Sequence, residues 1–126
     1  MSERILIVDD NPTNLKLVTY LVKAQGYEVD TAGDAETALD SIAAHRPSLI
    51  LMDLQLPGID GLELTKRLKA DPATHDIKII AVTAYAMKGD HEKALAAGCD
   101  DYVTKPIDTR ALPQTIARHL QRAGSV

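Results

Sequence analysis

Hydrophobic positions fall along the chain in two alternating rhythms. Short, uniformly apolar runs, Ile5–Val8 and Leu49–Met52, are too brief for helices and end in acids, Asp9 with Asp10 in one case and Asp53 in the other. That pattern belongs to strands buried on both faces of a parallel sheet. Between such runs, apolar residues recur at helical spacing. Leu15, Val18, Leu21 and Val22 form one stripe, opened by Asn11 as a cap with Pro12 at the first helical position and stopped by Gly26. Glu28–Ala32 reads as a strand around Val29. Gly33 and Asp34 then turn into a second helix with Ala35, Ala38, Leu39, Ile42 and Ala43 inward, ended before Pro47. After the strand Leu49–Asp53, Asp60 and Glu63 have capping-box spacing for a third helix that buries Leu64 and Leu68 and stops at Asp71 and Pro72. Ile77–Thr83, rich in β-branched residues, is a strand, and Met87–Ala97 is an alanine-rich helix closed by Gly98. Asp101–Val103 is a brief fifth strand. The last helix starts near Asp108 and presents Leu112, Ile116 and Leu120, with Pro113 loosening its first turn or delaying its start.

Five strands thus alternate with five helices, with no repeat or internal linker. Crossovers of this length join parallel strands with a right-handed connection. The expected architecture is α/β: a doubly wound, flavodoxin-like, five-stranded parallel sheet between helical layers, in the common order 2-1-3-4-5. The order is taken from the fold class. It puts the switch point between strands one and three, where Asp9, Asp10 and Asp53 converge.

Composition narrows the picture. The 126 residues suit one domain, 1–126, and four tyrosines without Phe or Trp leave an aliphatic core. The lone Cys99, beside Ala96, Ala97 and Gly98, excludes an internal disulfide and reads as a small buried thiol in a reducing compartment. No run approaches the roughly twenty apolar residues of a membrane span. A cytoplasmic protein without membrane attachment is expected. A net charge of −4 and the lack of a basic stripe argue against nucleic acid.

Three carboxylates in one crevice repel, by about 4 kcal/mol for a pair 4 Å apart at an effective dielectric near 20. Either one takes up a proton or a divalent cation neutralises them. All-oxygen ligation without His or Cys nearby suits Mg²⁺, with Mn²⁺ as the alternative. A competing reading has Asp9 and Asp10 supporting the positive end of the following helix. Thr83 and Lys105 end strands four and five, and each alone reads first as something ordinary, Thr83 as a turn residue and Lys105 as an ion-pair partner. Together, a cation, an ammonium and a hydroxyl around one carboxylate suit a phosphoryl group held on Asp53.

Asp9 and Asp10, Asp53 within Met-Asp-Leu-Gln-Leu-Pro-Gly, Thr83 with Ala84, and Lys105 with Pro106 stand in an order and spacing that resembles the response-regulator receiver domain of bacterial two-component signalling, from Ile5 to Leu120. The stretches 10–14 and 86–90 further resemble the single-domain DivK type and the receivers of hybrid histidine kinases. The resemblance implies that Asp53 is the phosphoacceptor, supplied by a phosphohistidine on a histidine kinase or histidine phosphotransfer protein. It implies Mg²⁺ on Asp10, Asp53 and the backbone carbonyl of Gln55, with Asp9 acting through water. Lys105 then pairs with the phosphoryl oxygens and precedes a cis Pro106, Thr83 is the switch hydroxyl, and Tyr102 is the aromatic switch. Gln55 and Tyr85 tune the phosphoryl lifetime, and Asn14, Leu15 and Val18 mark the usual docking neighbourhood. Such a phosphoprotein is a phosphorelay component rather than an enzyme, and it signals to a downstream protein through its fourth helix, fifth strand and fifth helix. His91 reads as a solvated residue, and His45, His75 and His119 as helix-end or loop residues without a metal cluster.

Other readings remain at this point. Met1 just before the first strand and only 123–126 after the last helix favour a stand-alone receiver over one cut from a hybrid kinase or longer regulator. A phosphatase with an aspartate nucleophile wants a second acid two residues on, where Gln55 stands. A flavodoxin-like FMN carrier needs a phosphate-cradling loop after the first strand, where Asp9 and Asp10 repel phosphate.

Overall fold

A computed structural model of the chain describes residues 3–54, 61–83, 88–104 and 107–124. In chain order the elements are β1 (Arg4–Val8), α1 (Pro12–Ala24), β2 (Glu28–Ala32), α2 (Ala35–Ala44) and β3 (Leu49–Asp53). They continue with α3 (Gly61–Ala70), β4 (Lys78–Thr83), α4 (Lys88–Ala97), β5 (Asp101–Thr104) and α5 (Ala111–Gly124). The strands form one parallel sheet ordered β2-β1-β3-β4-β5. This is the doubly wound sheet expected from the apolar runs.

Strand periodicity divides the core in two. Leu6, Val8, Ile50, Met52, Ile79 and Ala81 face one side, against Ala38 and Ile42 of α2, Leu64 and Leu68 of α3 and Ala94 of α4. Their strand neighbours Ile5, Ile7, Leu49, Leu51, Ile80 and Val82 face the other, against Val18 and Val22 of α1 and Leu112, Ile116 and Leu120 of α5. Central β3 is buried along its whole length, which is why its sequence is unbroken by polar residues up to Asp53.

Local chemistry sets the helix ends. Asn11 Oδ1 accepts from the backbone N–H groups of Thr13 and Asn14 at 2.9 and 3.3 Å, with Pro12 opening α1 as anticipated. Gly26 and Gly98 adopt φ of +93° and +110° after α1 and α4, in the left-handed region that glycine enters most readily. Asp108 accepts from the N–H groups of Arg110 and Ala111, and Pro113 falls in the first turn of α5, whose start is delayed accordingly. The Asp60 half of the anticipated capping box lies outside the described residues.

Two expectations need correction. Leu39 and Ala43 do not point inward: α2 buries only Ala35, Ala38 and Ile42, a narrower stripe, and the other two line an open groove with Leu68 and Ala73. His119 is neither at a helix end nor in a loop. Because α5 runs on to Gly124, this residue lies within the helix and is buried. Among the described residues, no helix is long and apolar enough to cross a membrane.

Candidate functional site

Register decides where the strand ends stop. Val8 lies beside Met52, and Asp53 beside Val82. Asp9 therefore leaves β1 next to the carboxyl end of β3, and its backbone N–H prolongs the ladder by donating to the Ala32 carbonyl at 3.0 Å. Asp9, Asp10 and Asp53 each offer a carboxylate oxygen, and these oxygens lie within 4.8 Å of one another. Asp9 and Asp53 are buried while Asp10 is exposed, so the cluster opens to solvent on one side. The convergence read from the sequence is thus present.

Asp9 also supports α1. Its Oδ1 accepts the backbone N–H of Asn11 at 2.8 Å, and its Oδ2 accepts from Asn14 Nδ2 at 3.4 Å. The helix-supporting reading and the metal reading are therefore compatible for this residue. Asn14, read from the sequence only as part of a docking neighbourhood, steadies an acid of the site. The signal was its place one turn beyond the Asn11 cap.

Asp53 is 2% exposed. Beyond it, the Leu54 N–H donates to the Val82 carbonyl at 3.1 Å, and the Gly61 N–H to the Leu54 carbonyl at 3.4 Å. Gly61 approaches so closely that a β-carbon there would lie 2.4 Å from the Asp53 carbonyl oxygen. Sequence reasoning missed this glycine, since nothing in its neighbours reports the close approach.

Thr83 ends β4, buried, one register step past the Val82 that pairs with Asp53. Tyr102 on β5 pairs with Ala81. Ala81 and Thr83 lie two apart and share a sheet face, and half-buried Tyr102 packs against the cluster that contains Ala81. Thr83, Ala81 and Tyr102 thus stand on one face of the sheet. Gln55, Ala84, Tyr85, Lys105 and Pro106 lie outside the described residues.

Two further titratable groups among the described residues serve the core and its edges. Burial pushes the Cys99 thiol up to about 11, against an opposing hydrogen bond with Thr65. That makes it an inert core residue rather than a nucleophile. Lys69 Nζ donates to the carbonyls of His75 and Ile77 and to Asp100 Oδ2, binding α3 to the turn before β5.

Three acids clustered without His or Cys make a donor set for a hard divalent cation, bound by few carboxylates and completed by water. The site is the crevice at the switch point of a doubly wound sheet, where such folds hold ligands.

Comparison with known proteins agrees with this geometry. Residues 5–117 match the family model described as the response regulator receiver domain. The chain is 47% identical over 120 residues to the polar-differentiation response regulator DivK of Brucella anthropi, covering 95% of this chain and 98% of that protein. A CheY-like receiver domain protein from Methanospirillum hungatei superposes with a TM-score of 0.90 at 33% identity, covering 99% of this chain and 98% of that one. The receiver domain of a sensor histidine kinase from Pseudomonas aeruginosa, solved with a magnesium ion coordinated in its active-site cleft, gives a TM-score of 0.85 at 36% identity, with 94% and 97% covered. A match running from β1 into α5 shows that this chain belongs to the response regulator receiver domain family of two-component signalling.

Proposed function

We propose that Asp53 accepts a phosphoryl group from the phosphohistidine of a histidine kinase or histidine phosphotransfer protein. An Asp53 carboxylate oxygen attacks phosphorus, the P–N bond breaks, and its electron pair returns to the donor imidazole. The product is an acyl phosphate. The observation that carries this reading is the meeting of Asp9, Asp10 and Asp53 within 4.8 Å at the sheet's switch point.

Asp10 and Asp53 are the direct ligands for Mg²⁺ in this proposal, with the Gln55 carbonyl beside them and Asp9 acting through water. When bound, the ion neutralises charge on the carboxylates and on the incoming phosphoryl oxygens. Lys105 pairs with those oxygens from the end of β5, ahead of a cis Pro106. The Thr83 hydroxyl donates to one of them, and Tyr102 takes up the space that Thr83 leaves. The altered face of α4, β5 and α5 then meets a downstream protein. The chain 1–126 acts in this reading as a single domain in the cytoplasm, a phosphorelay component and not an enzyme with turnover. The magnesium in the Pseudomonas receiver's cleft supports the choice of ion.

Incubation with acetyl phosphate and Mg²⁺, followed by intact mass measurement, is expected to show one added phosphoryl group. The addition should vanish in Asp53→Asn and on chelation of the metal. A wild-type chain that stays unmodified, with candidate kinases supplied as well, would refute the assignment.

A further inference from the structure

One buried ring is left unused by that mechanism. His119 is 7% exposed, and its Nε2 lies 2.9 Å from Asp101 Oδ2. Its Nδ1 is buried and has no hydrogen-bond partner among the described residues. An ionised carboxylate only accepts, so Nε2 carries a proton and donates it to Asp101. A ring protonated on Nδ1 alone would aim a lone pair at Asp101 and an N–H at nothing.

Asp101 is a junction. Its Oδ1 accepts the backbone N–H of Tyr102 at 2.8 Å, and its Oδ2 accepts from Arg118 Nη2 at 2.6 Å as well as from His119. Burial alone would raise this carboxyl. The bonds from His119, the Tyr102 N–H and Arg118 outweigh it and hold the group below the ordinary carboxylate range. One ionised side chain thus joins the backbone of β5 to two consecutive residues of α5.

The two ties to α5 differ in strength. The Arg118 side chain is 63% exposed and that of His119 only 9%. An exposed ion pair exchanges readily with water and contributes little. The His119 bond is part-buried, with its ring shielded from water. His119 is the tie that persists, and because Nδ1 holds no partner, the ring can follow Asp101 without breaking a second bond.

We infer that His119 is a positioning residue that couples the backbone of Tyr102 to α5 through Asp101, so that a displacement at Tyr102 is carried onto the α5 surface. The inference deepens the switch proposed above and rests on it for the source of the displacement. The coupling itself exists without phosphate.

The test uses NMR of the full chain. Ring ¹⁵N–¹H correlation is expected to show a proton on His119 Nε2. His119→Gln retains an N–H donor able to reach Asp101, whereas His119→Phe fills the space without one. On addition of beryllium fluoride with Mg²⁺, the amide resonances of α5 should shift in wild type and in His119→Gln. In His119→Phe, Thr83 should respond as in wild type while α5 stays still. A ring without a proton on Nε2, or α5 shifts in His119→Phe equal to those of wild type, overturns the coupling. If Thr83 and Asp53 fail to respond in wild type, the phosphoacceptor reading falls instead. Asp101→Asn without any added ligand then decides the coupling, as it also does if His119→Phe does not fold. Displaced α5 amides and a changed His119 ring signal support it, and an unchanged α5 overturns it.

Discussion

At the scale of single residues, the tightest constraint near the acids is Gly61. A β-carbon there would meet the Asp53 carbonyl oxygen at 2.4 Å and the Leu54 Cα at 2.7 Å, both backbone atoms that cannot yield cheaply. Gly61→Ala is expected to push the end of β3 aside, lowering stability by about 2 kcal/mol in urea unfolding, in the range of overpacked sites. It should weaken Mg²⁺ binding in the same protein, and an unaltered midpoint and affinity would contradict the geometry. Thr83 makes the opposite case, a residue whose loss leaves the acids in place. Thr83→Ala should still gain a phosphoryl group by mass yet show no phosphorylation-dependent rise in binding to its downstream partner. A preserved rise would remove Thr83 from the switch. The acids and Thr83 were legible because each ends a run of apolar residues. Gly61 and His119 were not, since a loop's close approach to a strand end and the burial of one polar helix residue are not marked by apolar periodicity.

Among the elements, the caps make the clearest pH argument. The Asp34 carboxylate accepts the Thr37 N–H at 2.7 Å at the start of α2, and Asp108 accepts from Arg110 and Ala111 before α5. These bonds hold both carboxyls below their ordinary value of 3.8. A depressed native value means the stabilisation is present above the unfolded value and is lost as pH falls through the native one. Asp34→Asn keeps a capping oxygen but cannot titrate. Its unfolding midpoint should therefore fall less steeply than wild type's between pH 5 and about 3. Equal acid limbs would mean that the Asp34 charge contributes nothing. Strand and helix limits were readable to within a residue or two where Asn11, Gly26 or Gly98 punctuate them. The width of a buried stripe was not, as Leu39 and Ala43 show: periodicity gives the direction of a face, and the neighbouring helix decides how much of it is covered.

For the molecule as a whole, the sheet order follows from crossover length and fold class, and it brings together acids more than forty positions apart in sequence. A cation bound only by the folded arrangement raises stability by mass action, about 2.7 kcal/mol at one hundred times its dissociation constant. Thermal unfolding should therefore shift upward with Mg²⁺ in wild type and far less in Asp10→Asn. An equal shift in both would place the ion elsewhere. The acids all sit at the carboxyl ends of the strands, whereas the exposed His45 follows α2 at the opposite rim, a five-residue strand or roughly 17 Å away. Cys99, the chain's one thiol, is sealed in the core and unreactive near neutrality. A cysteine introduced in place of His45 would consequently take a maleimide dye alone, giving a singly labelled protein whose fluorescence follows partner encounters while its chemistry at the far rim goes undisturbed.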